Sequence, residues 1–236
     1  MAVPQRVAFP GSVLRITAGL GVAVAVLILI VVNRSQPSTT RPQEMGAAAR
    51  QTLATLANLP VKGRAPKTGY SRAQFGEAWT DDVSVLGGHN GCDTRNDILK
   101  RDLVSVIFRS HSTCVVASGT LHDAYTGKTI EFRRGAGSSE AVQIDHMVAL
   151  SDAWQSGAQQ LSRQDRTNLA NDPLNLQAVD GPTNQAKGDS DAASWLPPNK
   201  AYRCTYVTRQ VEVKARYRLW VTAAERDAIA HVLASC

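Results

Sequence analysis

The sequence predicts an α+β fold, a strand–strand–helix core with surrounding helices and a short β-hairpin. Three observations carry this. The apolar run 141–144 reads as a short strand that delivers an adjacent carboxylate and imidazole, Asp145 and His146, at its end. Residues 174–179 alternate well enough for a second strand. Asp180-Gly181 is a turn signal, and Pro182 suits the first helical position, where its missing N–H would be unpaired anyway. Asn184 and Lys187 are three apart on that helix and share a face.

From the start of the chain, the 236 residues are 43% hydrophobic, enough for one domain with a real core. Residues 16–32 carry no charge, and their length sits at the short end for a membrane span. Arg6 and Arg15 precede the run, and Arg34 and Arg41 follow it. Residues 1–32 therefore read as a signal anchor or, alternatively, a cleaved signal peptide, and either exports the rest. Residues 33–46 form a flexible linker rich in Ser, Thr, Pro and Gln, and the folded domain spans 47–236.

A helix is expected over 47–59, stopped by Pro60. Lys62, Arg64, Lys67 and Arg72 follow in a Gly/Pro-containing segment, either a solvated loop or an edge that tracks phosphates. Asp93 or Asn96 is placed to cap a helix over 98–108, whose apolar residues recur at helical spacing. Arg95 near that helix start opposes the helix dipole, so it calls for another partner, a carboxylate or a substrate phosphate. Residues 115–121 and 129–132 read as strands around the Tyr125-Thr126-Gly127 turn, and Arg133 and Arg134 close the second, facing either phosphate or solvent. His111 and His122 are isolated and read as surface or hydrogen-bonded histidines. Trp195-Leu196-Pro197-Pro198 is an apolar corner suited to packing. Residues 201–219 fit a strand by alternation and a helix by length. Thr222 and Glu225 form a capping box for the last helix.

Four cysteines, none at CxxC spacing, suit disulfides in an oxidising compartment better than zinc. Sequence leaves the connectivity open. Pairing Cys92 with Cys114 and Cys204 with Cys236 brackets one compact segment each and pins the C-terminal helix.

The ordered set Asp145-His146, Asn175, Asn184 and Lys187 resembles the HNH (His-Me finger, ββα-metal) endonucleases. The phrases Gly91-Cys92-Asp93-Thr94-Arg95-Asn96-Asp97, Tyr125-Thr126-Gly127, Asn171-Asp172-Pro173-Leu174-Asn175-Leu176 and Trp195-Leu196-Pro197-Pro198 look like an extracellular bacterial branch of them. The likeness covers roughly residues 50–236. It departs at the last letter of the triad, which is Asn184 rather than histidine, and in a long inter-strand segment, 151–171, expected to carry helices. The resemblance also favours a helix over 201–219.

What the resemblance implies is an endonuclease with a single divalent ion, Mg²⁺ or Mn²⁺. In that reading His146 is the general base, a task that suits an imidazole at neutral pH. Asp145 and Asn184 ligate the metal through oxygen, leaving positions for water and phosphate. Asn175 holds the loop that orients His146. Lys187 contacts phosphate or is simply an exposed helical lysine, and Arg95 and Arg133 are candidates for substrate phosphate.

The formal charge of +6, to which Arg6 and Arg15 contribute two, favours polyanions. No recognition helix with clustered Arg and Asn is visible, so weakly specific cleavage of DNA or RNA backbone is expected. The partners considered are nucleic acid, the membrane if the N-terminal segment is retained, and an inhibitor protein of unknown kind. The competing functions are a non-catalytic envelope module that binds nucleic acid or a wall polymer, and hydrolysis of a teichoic-acid-like phosphodiester.

Overall fold

The computed structural model describes residues 46–135 and 139–236. The expected anchor or signal segment lies outside them, as does the linker except for Gly46. Among the described residues no helix is long and apolar enough to cross a membrane.

Helix α1 (Ala47–Ala57) ends ahead of Pro60, and the chain then meets Val221 in an isolated parallel bridge at Val61. Its Leu56 packs with Leu59 against helices α6 (Arg203–Arg216) and α7 (Ala223–Leu233), where Val207, Val211, Ile229 and Leu233 complete one apolar core. Thr222 and Glu225 form the expected capping box. Residues 201–219 are thus mainly helical, and their apparent alternation is the buried stripe of α6.

The helix expected over 98–108 is only half formed. Helix α2 (Thr94–Asp102) starts where Asp93 accepts the Asn96 N–H, at 2.9 Å, and strand β1 (Leu103–Phe108) follows it directly. Two forces end the helix. Asp102 accepts the backbone N–H of Ala178 at 2.7 Å, which fixes the turn. Beyond it, Val104, Val106, Ile107 and Phe108 are β-branched or aromatic and find a ladder partner in β2 (Val116–His122). Bulges interrupt that ladder around Ser105, whose φ is 52°. Strand β3 (Thr129–Arg133) completes a three-stranded antiparallel sheet in the order β1-β2-β3.

Strands β4 (Val142–His146) and β5 (Leu176–Asp180) pair antiparallel, with His146 opposite Leu176 and Val142 opposite Asp180. Asp180 then caps helix α5 (Gly181–Lys187) by accepting the Thr183 N–H. This is the strand–strand–helix unit read from the sequence. Between its strands lie α3 (Leu150–Gln155) and α4 (Arg163–Asn171), packed with Phe75, Val213 and Leu219 in a second core. A third core, including Ile98, Leu121, Phe132, Ile144 and Leu176, joins the sheet to the strand pair.

Both disulfides form with the expected pairing, Cys92–Cys114 and Cys204–Cys236. The second bridges α6 to the chain end beyond α7, with 32 residues of separation. Replacing both its cysteines by serine is expected to lower stability by roughly 2–4 kcal/mol in urea unfolding, chiefly by freeing the unfolded chain.

A buried charge cluster lies between α3, α6 and α7. Lys214 is fully buried, and its Nζ lies 3.2 Å from Asp152 and 2.7 Å from Glu225. Arg64 reaches Asp152 and Asp191 from the side, at 3.1 and 2.9 Å. Burial pushes the Glu225 carboxyl up to about 7, against the pull of Lys214. A carboxyl raised in the folded state stabilises fully below its unfolded value of 4.5, and this contribution fades as pH rises through about 7. Stability is therefore expected to fall between pH 5 and 8 by roughly 2–3 kcal/mol from this group. Melting curves of Glu225→Gln should lack that slope; an unchanged slope would assign it elsewhere.

Candidate active site

The site is assembled where β4 ends. His146 is the last residue of the strand, and immediately after it Met147 N–H donates to the Asn175 carbonyl at 2.7 Å, turning the chain away from the ladder. Asp145 and His146 are both buried, 5% and 7% exposed. Both line a cavity of about 340 Å³ that also takes in Asn184, Ser151, Arg72 and Asp189.

His146 Nε2 lies 2.9 Å from the Ala170 carbonyl oxygen. A carbonyl can only accept, so in the neutral ring Nε2 carries the hydrogen and Nδ1 holds the lone pair. Burial lowers the His146 pKa to about 4, opposed by the Ala170 hydrogen bond and the Asp145 charge. The ring is thus neutral at neutral pH. The indole of Trp79 lies nearly parallel to it, with 5.8 Å between centroids and 13° between planes.

Asp145 is held from two sides. Lys187 Nζ donates to its two oxygens at 2.9 and 2.7 Å and to the His146 carbonyl at 2.6 Å, and the Tyr125 hydroxyl donates to Oδ2. Burial first, and the Asp145 charge second, raise the Tyr125 pKa well above the ordinary value, so it remains a donor. Lys187 corrects the sequence reading. It is 1% exposed, neither a surface lysine nor a group open to phosphate, because α5 lays its side chain under the strand end, where a buried ammonium requires a carboxylate.

Asn184 donates its amide N–H to Gln143 Oε1 at 2.9 Å, which leaves the amide oxygen as the group it can offer to a cation. Asn175 is fully buried and does not line the cavity. Its Oδ1 accepts the Val148 N–H at 2.9 Å, and its Nδ2 donates to the Leu169 carbonyl at 3.1 Å. It fastens the loop after His146 to the end of α4, one residue from the carbonyl that holds the imidazole. Arg101 and Arg209 brace the same turn by donating to the carbonyls of Pro173 and Leu176.

The two arginines proposed for phosphate stand apart from this cavity. Arg95 is half-buried beside Asp93 and the like charge of Arg134, and burial first, then Arg134, lowers its pKa. Arg133 is exposed at the end of β3. Of the four-residue basic cluster, Arg64 and Lys67 are ion-paired, and Lys62 sits over the Trp220 ring. Arg72 and Lys67 both line the cavity, Lys67 with its ammonium paired to Asp189. Tyr125 and Trp79 were not legible as site residues: the first reads as a turn residue, and the second lies in an aperiodic loop far from His146 in sequence.

Among the described residues no group of three or more His, Cys, Asp or Glu side chains is gathered to hold a metal. The donors at the cavity are the Asp145 carboxylate, with unused lone pairs, the Asn184 amide oxygen, and the Asp189 carboxylate, which already accepts from Lys67 and Ser151. That set suits a hard cation that keeps most of its water, as Mg²⁺ does, and not a closed zinc site.

Residues 93–232 match the family described as GmrSD restriction endonucleases, C-terminal domain. The chain belongs to that family. The match to this GmrSD C-terminal domain runs from the cap of α2 into α7 and contains Asp145, His146, Asn175, Asn184 and Lys187, whereas Arg72 and Trp79 lie before it. The chain is also 37% identical over 202 residues, 85% of its length and 91% of the relative's, to an uncharacterized secreted protein of Arthroderma benhamiae. That relative is fungal, so it lends nothing to a specifically bacterial branch. No solved structure matches the chain.

Proposed function

We propose that the chain is an exported HNH-type endonuclease that hydrolyses nucleic-acid phosphodiester bonds with low sequence specificity. The observation that carries this reading is a buried imidazole with its tautomer fixed by the Ala170 carbonyl, in one cavity with Asp145 and Asn184. Membership of a restriction-endonuclease domain family supports nuclease chemistry. Two disulfides and a relative described as secreted support export.

In this reading His146 Nδ1 takes the proton from the attacking water. Asp145 and Asn184 are the residues that would hold a Mg²⁺ or Mn²⁺ ion, which would supply positive charge to the phosphate and the departing oxygen. Lys187 and Tyr125 fix the Asp145 carboxylate, and Asn175 fixes the loop. Arg72 and Lys67 both line the cavity, and since Lys67 is paired with Asp189, Arg72 is the cation assigned to meet a phosphate. The deciding assay incubates the oxidised protein with supercoiled plasmid and with single-stranded RNA in Mg²⁺, beside an EDTA control. Cleavage that EDTA abolishes is the expected result.

One observation favours the second reading, a non-catalytic module that binds polyanions: the Asp145 charge is already balanced by Lys187. Folded protein that binds nucleic acid but cuts neither substrate in Mg²⁺ or Mn²⁺ would select it.

A further inference from the structure

A second cavity, of about 330 Å³, adjoins the first and shares Arg72, His146 and Leu150 with it. We infer that this cavity is a subsite for one unstacked, unpaired nucleobase of the strand being cut. The inference rests on the nuclease reading and adds to it a substrate class, nucleic acid with single-stranded character.

The walls include the aromatic and aliphatic side chains of Phe75, Trp79, Leu150 and Ala170, alongside the charged Arg72 and Glu77. They are also held in place. The Arg166 guanidinium donates to the Gln74 carbonyl at 2.8 Å, and Gly76 presses so closely on α4 that a Cβ there would come within 2.5 Å of Thr167. Trp79 has a φ of 61°, a conformation that side-chain-bearing residues rarely adopt, and its carbonyl accepts the Thr94 N–H at 3.1 Å. Such a residue persists only where its surroundings over-determine it, and this happens preferentially at ligand clamps.

The ligand that fits is flat, apolar on its faces, and attached to a phosphodiester beside His146. A nucleobase has all three properties. In a duplex its faces are stacked, so only an unpaired base can lay a face against the indole wall. Every base has such a face, which makes the subsite selective for strandedness and tolerant of sequence.

The test measures binding without cleavage, at 50 mM salt in EDTA and again in Ca²⁺, using labelled single-stranded DNA, an abasic strand of equal length, and the duplex. Stacking of one base contributes about 1–3 kcal/mol, so the intact strand should bind roughly 5–150-fold more tightly than the abasic strand. Trp79→Ala should remove that difference without weakening the abasic strand, and Trp79→Phe should keep most of it. Equal binding of intact and abasic strands by the parent overturns the subsite and leaves the nuclease reading standing, as does equal loss on both strands in Trp79→Ala. No binding of any of the three overturns the nuclease reading itself.

Discussion

In the nuclease proposed above, replacing His146 with alanine is expected to lower cleavage by about 10²–10⁴-fold, the usual contribution of a positioned general base. The size of the effect follows from how completely the ring is fixed. Its Nε2 is bonded to Ala170 and its face is covered by Trp79, leaving Nδ1 as the one nitrogen able to take a proton. The substitution also leaves the Ala170 carbonyl without its donor, at about 1–3 kcal/mol, so the melting temperature must be read alongside the rate. His146→Gln separates the two effects, since an amide N–H can still serve Ala170 while no base remains. Both variants should be equally inactive, with the glutamine protein the more stable. A His146→Ala protein that retains a tenth of the parent's rate would remove the imidazole from the chemistry.

What could be read from the sequence was what local chemistry dictates. Strand β4 ending in Asp145-His146, the alternation of β5, and Asp180 and Pro182 opening α5 are each specified within a few residues, and each appears in the structure. The capping box at Thr222 and the Asp93 cap belong to the same class. The cysteine pairing, one of three connectivities open to four cysteines, is decided by the fold, as Cys92–Cys114 and Cys204–Cys236. Over residues 98–108 helical spacing and strand propensity overlap, so the local pattern points to one helix where the structure has a helix end and a strand. The decision lies with β2 and with the Ala178 N–H that Asp102 accepts, both distant in the chain. Tertiary pairing overrides a periodic pattern this short.

The site divides along the same line. Asp145, His146 and Asn184 were nameable because their types and spacing are chemical, and they do line one cavity. Neither the Ala170 carbonyl nor Trp79 leaves any mark near His146 in sequence, yet together they fix its tautomer and plane. The basic segment around Arg72 left a solvated loop and a phosphate-tracking edge both open, since charge clustering says nothing about which cations already have carboxylate partners. Arg64 and Lys67 do.

Replacing Lys187 with methionine is expected to lower stability by about 3–5 kcal/mol, because it leaves the Asp145 carboxylate buried beside Tyr125 with no counter-charge. For a domain of this size that is a fall in melting temperature on the order of 10 °C. Removing both charges, in Asp145→Asn with Lys187→Met, should recover much of the loss, since a neutral amide costs far less to bury than an unpaired ion. The lysine single variant also tests the metal. If Asp145 and Asn184 share a cation, the unpaired carboxylate should attract it more strongly than the paired one does. Millimolar Mg²⁺ should then raise the melting temperature of Lys187→Met by more than it raises that of the parent, through preferential binding to the folded state. A shift absent from both proteins would mean that Lys187 is the counter-ion Asp145 was built for, and any cation the protein uses would have to be held elsewhere.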